Sequence, residues 1–299
     1  MDERGTPQRF DGFHTSSIAV GETTIYTRYG GSGPPLLLLH GMPETHLMWH
    51  RVAPRLAANF TVVAPDLPGY GASTGPASAA DHAPYSKRAL ALDMVQLMAE
   101  LGFLRFSIAG HDRGARVAYR LALDHPERVQ RLAVLDIVPT GEALQQADAT
   151  FARDFWLWFF LAQPADFPER LIAAAPRRFL DHMLDGWSAR PDAFPAEVRD
   201  AYLCNLADPA RVHAICEEYR AALTLDRAHD DADRGRRRIA CPVLVLWSEA
   251  GALSQWYDPL TVWRGWADDV RGHALACGHF LPEEAPDATF AALNAFFSA

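Results

Sequence analysis

The stretch IAGHDRGA, residues 108–115, decides the fold of this protein. An apolar run ends at Gly110, a helical pattern begins at Arg113, and glycines stand two residues before and two residues after Asp112. Glycine lets a strand and a helix approach closely through a tight, strained turn, which lifts the central side chain above the sheet. The pattern therefore predicts a carboxylate at the start of a helix, where free N–H groups and the helix dipole favour an anion.

Similar apolar runs predict the other strands of a parallel sheet. They lack polar alternation, as strands buried on both faces do. They are Pro35–Leu39, Thr61–Ala64, Phe106–Ala109, Leu132–Val138 and Val243–Trp247, with an antiparallel hairpin at Ser17–Val20 and Thr23–Tyr29. Helical periodicity covers Lys87–Leu101, Arg113–Asp124 and Pro286–Phe297. This alternation predicts the α/β class, a mostly parallel, doubly wound sheet that binds ligands at the C-terminal ends of its strands.

One long stretch carries no strand pattern. From about Gly141 to Arg238 the sequence is helical in pattern, rich in Ala, Trp, Phe and Arg, and interrupted by prolines. We interpret residues 141–238 as a helical cap (lid) inserted after the sixth strand. Residues 1–140 and 239–299 then form one core domain.

Composition excludes several classes of protein. The chain has 299 residues, 49 % of them hydrophobic and 22 % charged, which is typical of globular proteins. Its net charge of −9 argues against a nucleic-acid partner, and no apolar run nears the roughly 20 residues that a membrane helix needs. The four cysteines lack metal-ligand spacing, and the opening residues lack the apolar core of a signal peptide. We expect a cytoplasmic protein without a metal or cofactor.

Asp112 itself points to a particular chemistry. A carboxylate is already ionised at neutral pH, so it needs no base to act as a nucleophile. Its attack on an acyl carbon would give a reactive anhydride, whereas attack on a saturated carbon gives an ester that water can cleave later. This favours displacement of a halide or opening of an epoxide. The structural alternative is a simple helix N-cap.

Cleavage of such an ester requires a general base, and His279 stands in a loop after a strand-like segment, Ala274–Ala276. The base needs an orienting carboxylate. Asp136 lies within an apolar strand pattern, where a carboxylate must be paired, and Glu249 follows the next strand. We favour Asp136 and keep Glu249 as the alternative.

Backbone and guanidinium groups complete the predicted site. The loop HGMP, residues 40–43, follows a buried strand, so the N–H groups of Met42 and Arg113 can form an oxyanion hole. Arg113 and Arg116 lie three residues apart beside the nucleophile, which predicts an anionic substrate held through its carboxylate. The alternative is that these arginines form ordinary salt bridges.

These motifs resemble those of the haloacetate dehalogenases, enzymes of the α/β-hydrolase fold that include the fluoroacetate dehalogenases. The resemblance covers nearly the whole chain, including lid segments. Its motifs are HGMP at 40–43, DLPGYG at 66–71, GHDRGAR at 110–116, LDIVPT at 135–140, GHFLPEE at 278–284, FLAQP at 160–164 and CEEYR at 216–220. The first two motifs are shared with epoxide hydrolases, whereas the Asp-Arg-Gly-x-Arg string is more specific.

The resemblance implies a role for each matching residue. Asp112 is the nucleophile, His279 the base and Asp136 its partner, and the resemblance also implies a homodimer. Arg113 and Arg116 bind the substrate carboxylate. Trp158 and Tyr219 donate hydrogen bonds to the departing halide, and we expect Leu157, Trp187 and His111 to line the pocket.

One residue departs from the family pattern. Members that release fluoride carry His immediately before the lid Trp, whereas this chain has Leu157. Leu donates no hydrogen bond, so we expect chloro- and bromo-acids to be handled better than fluoroacetate, or a larger anion to fit beside Leu157.

Two other functions remain open on the sequence alone. An epoxide hydrolase would use the same three catalytic residues with a pair of lid tyrosines, which Tyr202 and Tyr219 could supply. A non-catalytic protein that binds a small acid would keep only the fold.

Overall fold

The computed structural model describes residues 9–145 and 147–299. Residues 1–8 and Gln146 lie outside the described residues. The expectation that the opening residues form no signal peptide rests mostly on residues 1–8, and Gln146 falls within the predicted cap. None of the helices that the described residues form is long and apolar enough to cross a membrane.

Strands of the described residues form a single eight-stranded sheet. They are β1 (His14–Val20), β2 (Thr23–Gly30), β3 (Pro35–Leu39), β4 (Thr61–Pro65), β5 (Phe106–His111), β6 (Val129–Leu135), β7 (Val243–Ser248) and β8 (Val270–Leu275). Their order is β1-β2-β4-β3-β5-β6-β7-β8. The β1–β2 and β2–β4 pairs are antiparallel and the others are parallel. The predicted fold class is therefore confirmed, with the hairpin at one edge.

Helices pack around this sheet and follow its strands along the chain. They are α1 (Ala53–Leu56), α2 (Lys87–Glu100), α3 (Asp112–Asp124), α4 (Thr140–Gln145), α5 (Ala149–Asp154), α6 (Trp156–Leu161), α7 (Phe167–Ala174), α8 (Pro176–Trp187), α9 (Ala196–Ala207), α10 (Pro209–Ala221), α11 (Arg227–Asp233), α12 (Leu253–Trp256), α13 (Pro259–Arg264), α14 (Leu281–Glu284) and α15 (Pro286–Phe297).

Most strands differ by a few residues from their sequence-based bounds, and the differences in β6 and β8 concern the segments that precede Asp136 and His279. β6 ends at Leu135 rather than at Val138, so Asp136 comes directly after the strand. β8 begins at Val270, well before the expected segment Ala274–Ala276. β8 lies at the edge of the sheet with alternate residues exposed, so its sequence lacks the continuous apolar run of a central strand.

The predicted cap region is helical. Between β6 and an isolated bridge at Ile239, the described residues form helices α4 to α11, a short 3-10 turn and a π-helical segment, but no strand. All of these helices follow the sixth strand, as the sequence predicts. Their division from the core as a separate domain, with bounds at residues 141 and 238, stays a prediction.

Candidate active site

The turn between β5 and α3 holds Asp112 in a strained conformation. Its φ of 42° lies in the left-handed region that non-glycine residues rarely adopt. A Cβ atom at Gly110 would lie 2.6 Å from the backbone of Ala115, and one at Gly114 would lie 2.3 Å from the carbonyl oxygen of His40. Both glycines are therefore required for the strand, the helix and the neighbouring loop to meet around Asp112.

The carboxylate of Asp112 is buried and ionised. One of its oxygens, Oδ2, accepts a hydrogen bond of 3.3 Å from the backbone N–H of Met42. Burial alone would raise the pKa of Asp112, but the charges of His279, Arg113 and His111 hold it below its usual value of 3.8. The side chain is thus an anion throughout the neutral range.

His279 is paired with Asp136. Its Nδ1 lies 2.6 Å from Asp136 Oδ2, while Asp136 Oδ1 accepts a 2.9 Å hydrogen bond from the backbone N–H of Ser248. Because a carboxylate only accepts, Nδ1 carries the proton and Nε2 is free to accept another. Glu249, the alternative partner, is exposed.

A cavity of about 730 Å³ joins these groups. Most of the residues expected at the site line it, namely Asp112, Arg116, Asp136, Leu157, Trp158, Trp187, Tyr219 and His279. The polar and charged groups from the core thus face aromatic side chains from the helices that follow β6. The ring of Trp187 stands edge-on to that of His279, with 5.7 Å between their centroids.

Arg116 presents positive charge to this cavity. Its Nη1 donates to the carbonyl oxygen of Val138 at 2.9 Å and to Thr140 Oγ1 at 3.2 Å, and its guanidinium lies 4.4 Å from the ring centroid of Trp158. Burial and the neighbouring Arg113 lower the pKa of Arg116, since both disfavour its charged form. A bound anion would therefore stabilise this group.

Arg113 lies one layer deeper than expected. It is fully buried and is not among the residues that line the cavity. Its Nε donates to Glu218 Oε1 at 3.1 Å and its Nη2 to the carbonyl oxygen of Glu218 at 3.2 Å, while Nη1 has no partner among the described residues. Its guanidinium also packs 4.0 Å from the ring centroid of Tyr219.

Glu218 ties Arg113 to two further side chains. Lys87 Nζ lies 2.7 Å from Oε1, and the Tyr70 hydroxyl donates to Oε2 at 2.6 Å. Burial would raise the pKa of Glu218, but Lys87 and Arg113 lower it to about 2. This buried carboxylate therefore remains charged and fixes the position of Arg113.

The prediction that His111 lines the pocket is wrong. Its side chain is fully buried behind Asp112 and is not among the cavity residues. Its Nδ1 lies 3.0 Å from Glu44 Oε2 and its Nε2 lies 2.8 Å from the carbonyl oxygen of His279. Burial lowers the pKa of His111, but Glu44 outweighs this effect and raises it to about 9. The imidazolium instead supports the turn from behind.

Sequence reasoning missed Glu44, Glu218 and Ser248. Two of them had a local signal, because Glu44 directly follows the HGMP loop and Glu218 directly precedes Tyr219. A carboxylate beside a predicted site residue suggests a paired, buried charge. Ser248 contributes only its backbone N–H, and since nearly every residue type has this group, the residue type at position 248 does not indicate the contact.

Comparison with known proteins agrees with this fold. Residues 34–286 match the model of the alpha/beta hydrolase fold family. A crystal structure of a protein from Nostoc sp. PCC 7120 superimposes with a TM-score of 0.95 at 50 % identity, covering 97 % of this chain and 99 % of that one. The fold and the match together define the class of this protein as the α/β hydrolases.

Two curated relatives narrow the class. The chain is 46 % identical to a fluoroacetate dehalogenase from Burkholderia sp., over 97 % of its own length and 95 % of that protein. It is 32 % identical to a soluble epoxide hydrolase from Corynebacterium sp. strain C12, over 90 % and 91 % of the two chains. The chain belongs to the α/β-hydrolase family and, within it, to the haloacetate dehalogenases that its motifs resemble.

Proposed function

We propose that this protein hydrolyses 2-haloacids, replacing the halogen by a hydroxyl group. The observation that carries the proposal is the ionised carboxylate of Asp112, which shares one cavity with the His279–Asp136 pair and with Arg116. The relationship to the Burkholderia fluoroacetate dehalogenase supports the same reaction class. The reactants are a small organic anion and water.

In the first step Asp112 Oδ1 attacks the α-carbon of the acid. A carbon–oxygen bond forms, the carbon–halogen bond breaks, and the halide leaves with the bonding electron pair. Arg116 holds the substrate carboxylate, and Arg113 adds its charge from behind. The indole N–H of Trp158 and the hydroxyl of Tyr219, which both line the cavity, donate hydrogen bonds to the departing halide.

In the second step water cleaves the ester on Asp112. His279 Nε2 takes a proton from the water, whose oxygen attacks the Asp112 carbonyl carbon. The bond between this carbon and Oδ1 then breaks, and the leaving alkoxide takes the second proton of the water, which releases the 2-hydroxy acid and restores the Asp112 carboxylate. The carbonyl oxygen of this ester is Oδ2, which already accepts the Met42 N–H. The second donor to the oxyanion is the backbone N–H of Arg113, which lies in the first turn of α3. The proton then passes from His279 to solvent.

The epoxide hydrolase alternative fits the cavity less well. Opening an epoxide would use a second tyrosine, for which Tyr202 is the candidate. Tyr202 is fully buried, is not among the cavity residues, and donates to Glu283 Oε1 at 2.6 Å. Of the two tyrosines in the predicted cap, Tyr219 therefore lines the cavity together with Asp112, and Tyr202 does not.

One experiment separates the three candidate functions. Purified protein is incubated with bromoacetate and, separately, with a styrene epoxide, while bromide and diol are measured. We expect bromide release without diol formation. Diol alone would support the epoxide hydrolase, and neither product would support a protein that only binds small acids.

Leu157 should limit the release of fluoride. We expect Leu157→His to raise the rate of fluoride release from fluoroacetate by about 10²–10³-fold, because it restores one aimed donor to a developing anion. Release of bromide, which is larger and less strongly hydrated, should change far less. The measurement is kcat with fluoroacetate and bromoacetate, using a halide electrode.

Leu157→Met is the matched control, because it keeps an apolar side chain of similar size and adds no N–H donor. Its fluoride rate should equal that of the native protein. Equal fluoride rates in the native protein and Leu157→His would contradict the role assigned to this position.

Glu218 should stabilise the folded protein and strengthen the binding of substrate. Replacing Glu218 by Gln removes the carboxylate that pairs with Arg113 and leaves Lys87 with Asp226, 3.6 Å away, as its ion-pair partner, so we expect a loss of about 3–5 kcal/mol in unfolding free energy. Among molecules that remain folded, KM for bromoacetate should rise more than kcat falls, because Arg113 loses the charged partner that fixes its side chain and keeps only the bond to the backbone carbonyl oxygen. Urea unfolding and steady-state kinetics measure the two effects.

The matched control is Glu197→Gln, which removes the same charge from an exposed pair with Arg9. Exposed ion pairs contribute at most about 1 kcal/mol, so this variant should unfold near the native urea concentration. If Glu218→Gln changed the unfolding free energy and KM as little as Glu197→Gln does, Glu218 would not be a positioning residue for Arg113.

A further inference from the structure

The cavity is much larger than a haloacetate. Its volume of about 730 Å³ is in the range of about 300–1,000 Å³ that accommodates drug-sized ligands. A haloacetate consists of only two carbons, the oxygens of a carboxylate and one halogen. Bound at Asp112 and Arg116, it would leave most of this cavity to water.

Part of the cavity wall is buried and apolar. We call it the apolar compartment, and it is formed by Val138, Ala143, Phe151, Leu157, Leu253 and Tyr257. The hydroxyl of Tyr257 donates to the carbonyl oxygen of Ala143 at 3.0 Å, so its proton is already used in a hydrogen bond within the wall. Water gains few hydrogen bonds against such a surface, so an apolar group is its better occupant.

The apolar compartment begins beside the reacting groups. The carbonyl oxygen of Val138 accepts from Arg116 Nη1, which holds the substrate carboxylate in the proposed mechanism. On the other side, Leu157 directly precedes Trp158, whose ring lies 4.4 Å from the same guanidinium. With the carboxylate at Arg116 and the halogen at Trp158 and Tyr219, a remaining substituent of the α-carbon has this compartment as its neighbour.

We infer that the preferred substrates are 2-haloacids with an aromatic or extended aliphatic group on the α-carbon. This inference rests on the proposed function and specifies its substrate class. The chemistry is unchanged: Asp112 forms the ester at a secondary carbon, the halide leaves with its electron pair, and water releases a substituted 2-hydroxy acid. Leu157, in place of a histidine, continues the apolar surface up to the halogen position.

Binding of unreactive acids tests this inference without relying on turnover. We expect phenylacetate to bind the native protein at least about tenfold more tightly than acetate, because burial of its ring adds hydrophobic free energy. Titration calorimetry measures both affinities. Equal affinities would overturn the inference.

A bulky side chain in the apolar compartment should remove this preference. Leu253→Trp should weaken phenylacetate binding about tenfold or more while leaving acetate binding within about twofold. Leu171→Trp is the matched control, because Leu171 is half exposed on α7 and is not among the cavity residues. If Leu253→Trp does not fold, Ala143→Leu replaces it. Unchanged phenylacetate affinity in the folded variant would overturn the inference.

Turnover separates this inference from the proposed function. Halide release is measured with bromoacetate and with 2-bromo-2-phenylacetate, and a lower KM is expected for the second compound. Turnover of bromoacetate without a phenylacetate preference would overturn the inference and leave the function intact. Tight phenylacetate binding with no halide released from either compound would overturn the function instead.

Discussion

Replacing Asp112 by Asn should lower bromide release from bromoacetate by at least about 10³-fold, since the amide is neutral and is a poor nucleophile at saturated carbon. Asn has nearly the same shape, and its amide oxygen can still accept the Met42 N–H. The turn should therefore remain intact while the chemistry is lost. A halide electrode measures the rate, and the unfolding temperature verifies that the variant is folded.

Asp287→Asn makes the same chemical change at a carboxylate that is 93 % exposed. This control should release bromide at the native rate. If the Asp112→Asn protein kept native activity, neither the proposed nucleophile nor the proposed order of bond changes would hold.

The second large effect is expected at His279. Without a base the ester on Asp112 cannot be hydrolysed, so His279→Gln should release about one bromide per molecule and then stop. The protein should gain about 58 Da, the mass of a carboxymethyl group replacing a proton. Mass spectrometry of the intact protein and of its peptides should locate this group on Asp112.

His273→Gln is the matched control, because His273 is exposed on the edge strand β8. It should turn over continuously and carry no adduct. Continuous turnover by His279→Gln would contradict the role of His279, and an adduct on any other residue would contradict that of Asp112.

The pH dependence of this single turnover provides a further check on Asp112. A carboxylate loses its nucleophilic form only as the pH falls through its pKa, and the pKa of Asp112 is held below 3.8. The bromide burst in His279→Gln should therefore be independent of pH between about 5 and 8. The variant lacks His279, the largest of the charges that lower this pKa, whereas Arg113, His111 and Arg116 remain and continue to lower it.

Much of the site could be predicted because its signals are local. The turn at Asp112 depends on glycines two residues away on either side, and the strands before His40, Asp112 and Asp136 show as short apolar runs. Parallel strands place their C-terminal ends at one edge of a sheet, so residues at those ends had to be near one another. The same reasoning predicted that His279, in the loop after the last strand, lies near Asp112.

The partners of these residues could not be predicted in the same way. Arg113 was expected in contact with substrate, but its guanidinium donates to Glu218, 105 positions along the chain, through Nε to the carboxylate and through Nη2 to the backbone carbonyl oxygen. His111 stands beside Asp112 in sequence, yet its side chain turns away to Glu44, 67 positions earlier. Sequence patterns indicate that a charge is buried, but not which distant charge compensates it.

By itself the sequence determined the sheet, the strained turn and the family, because backbone sterics and hydrophobic periodicity act over a few neighbouring residues. Only the tertiary structure decided that Asp136 rather than Glu249 contacts His279, which is 143 positions away, and how large a cavity surrounds them. The reason is physical, since ion pairing and cavity shape depend on distances in space between segments that sequence separation does not specify.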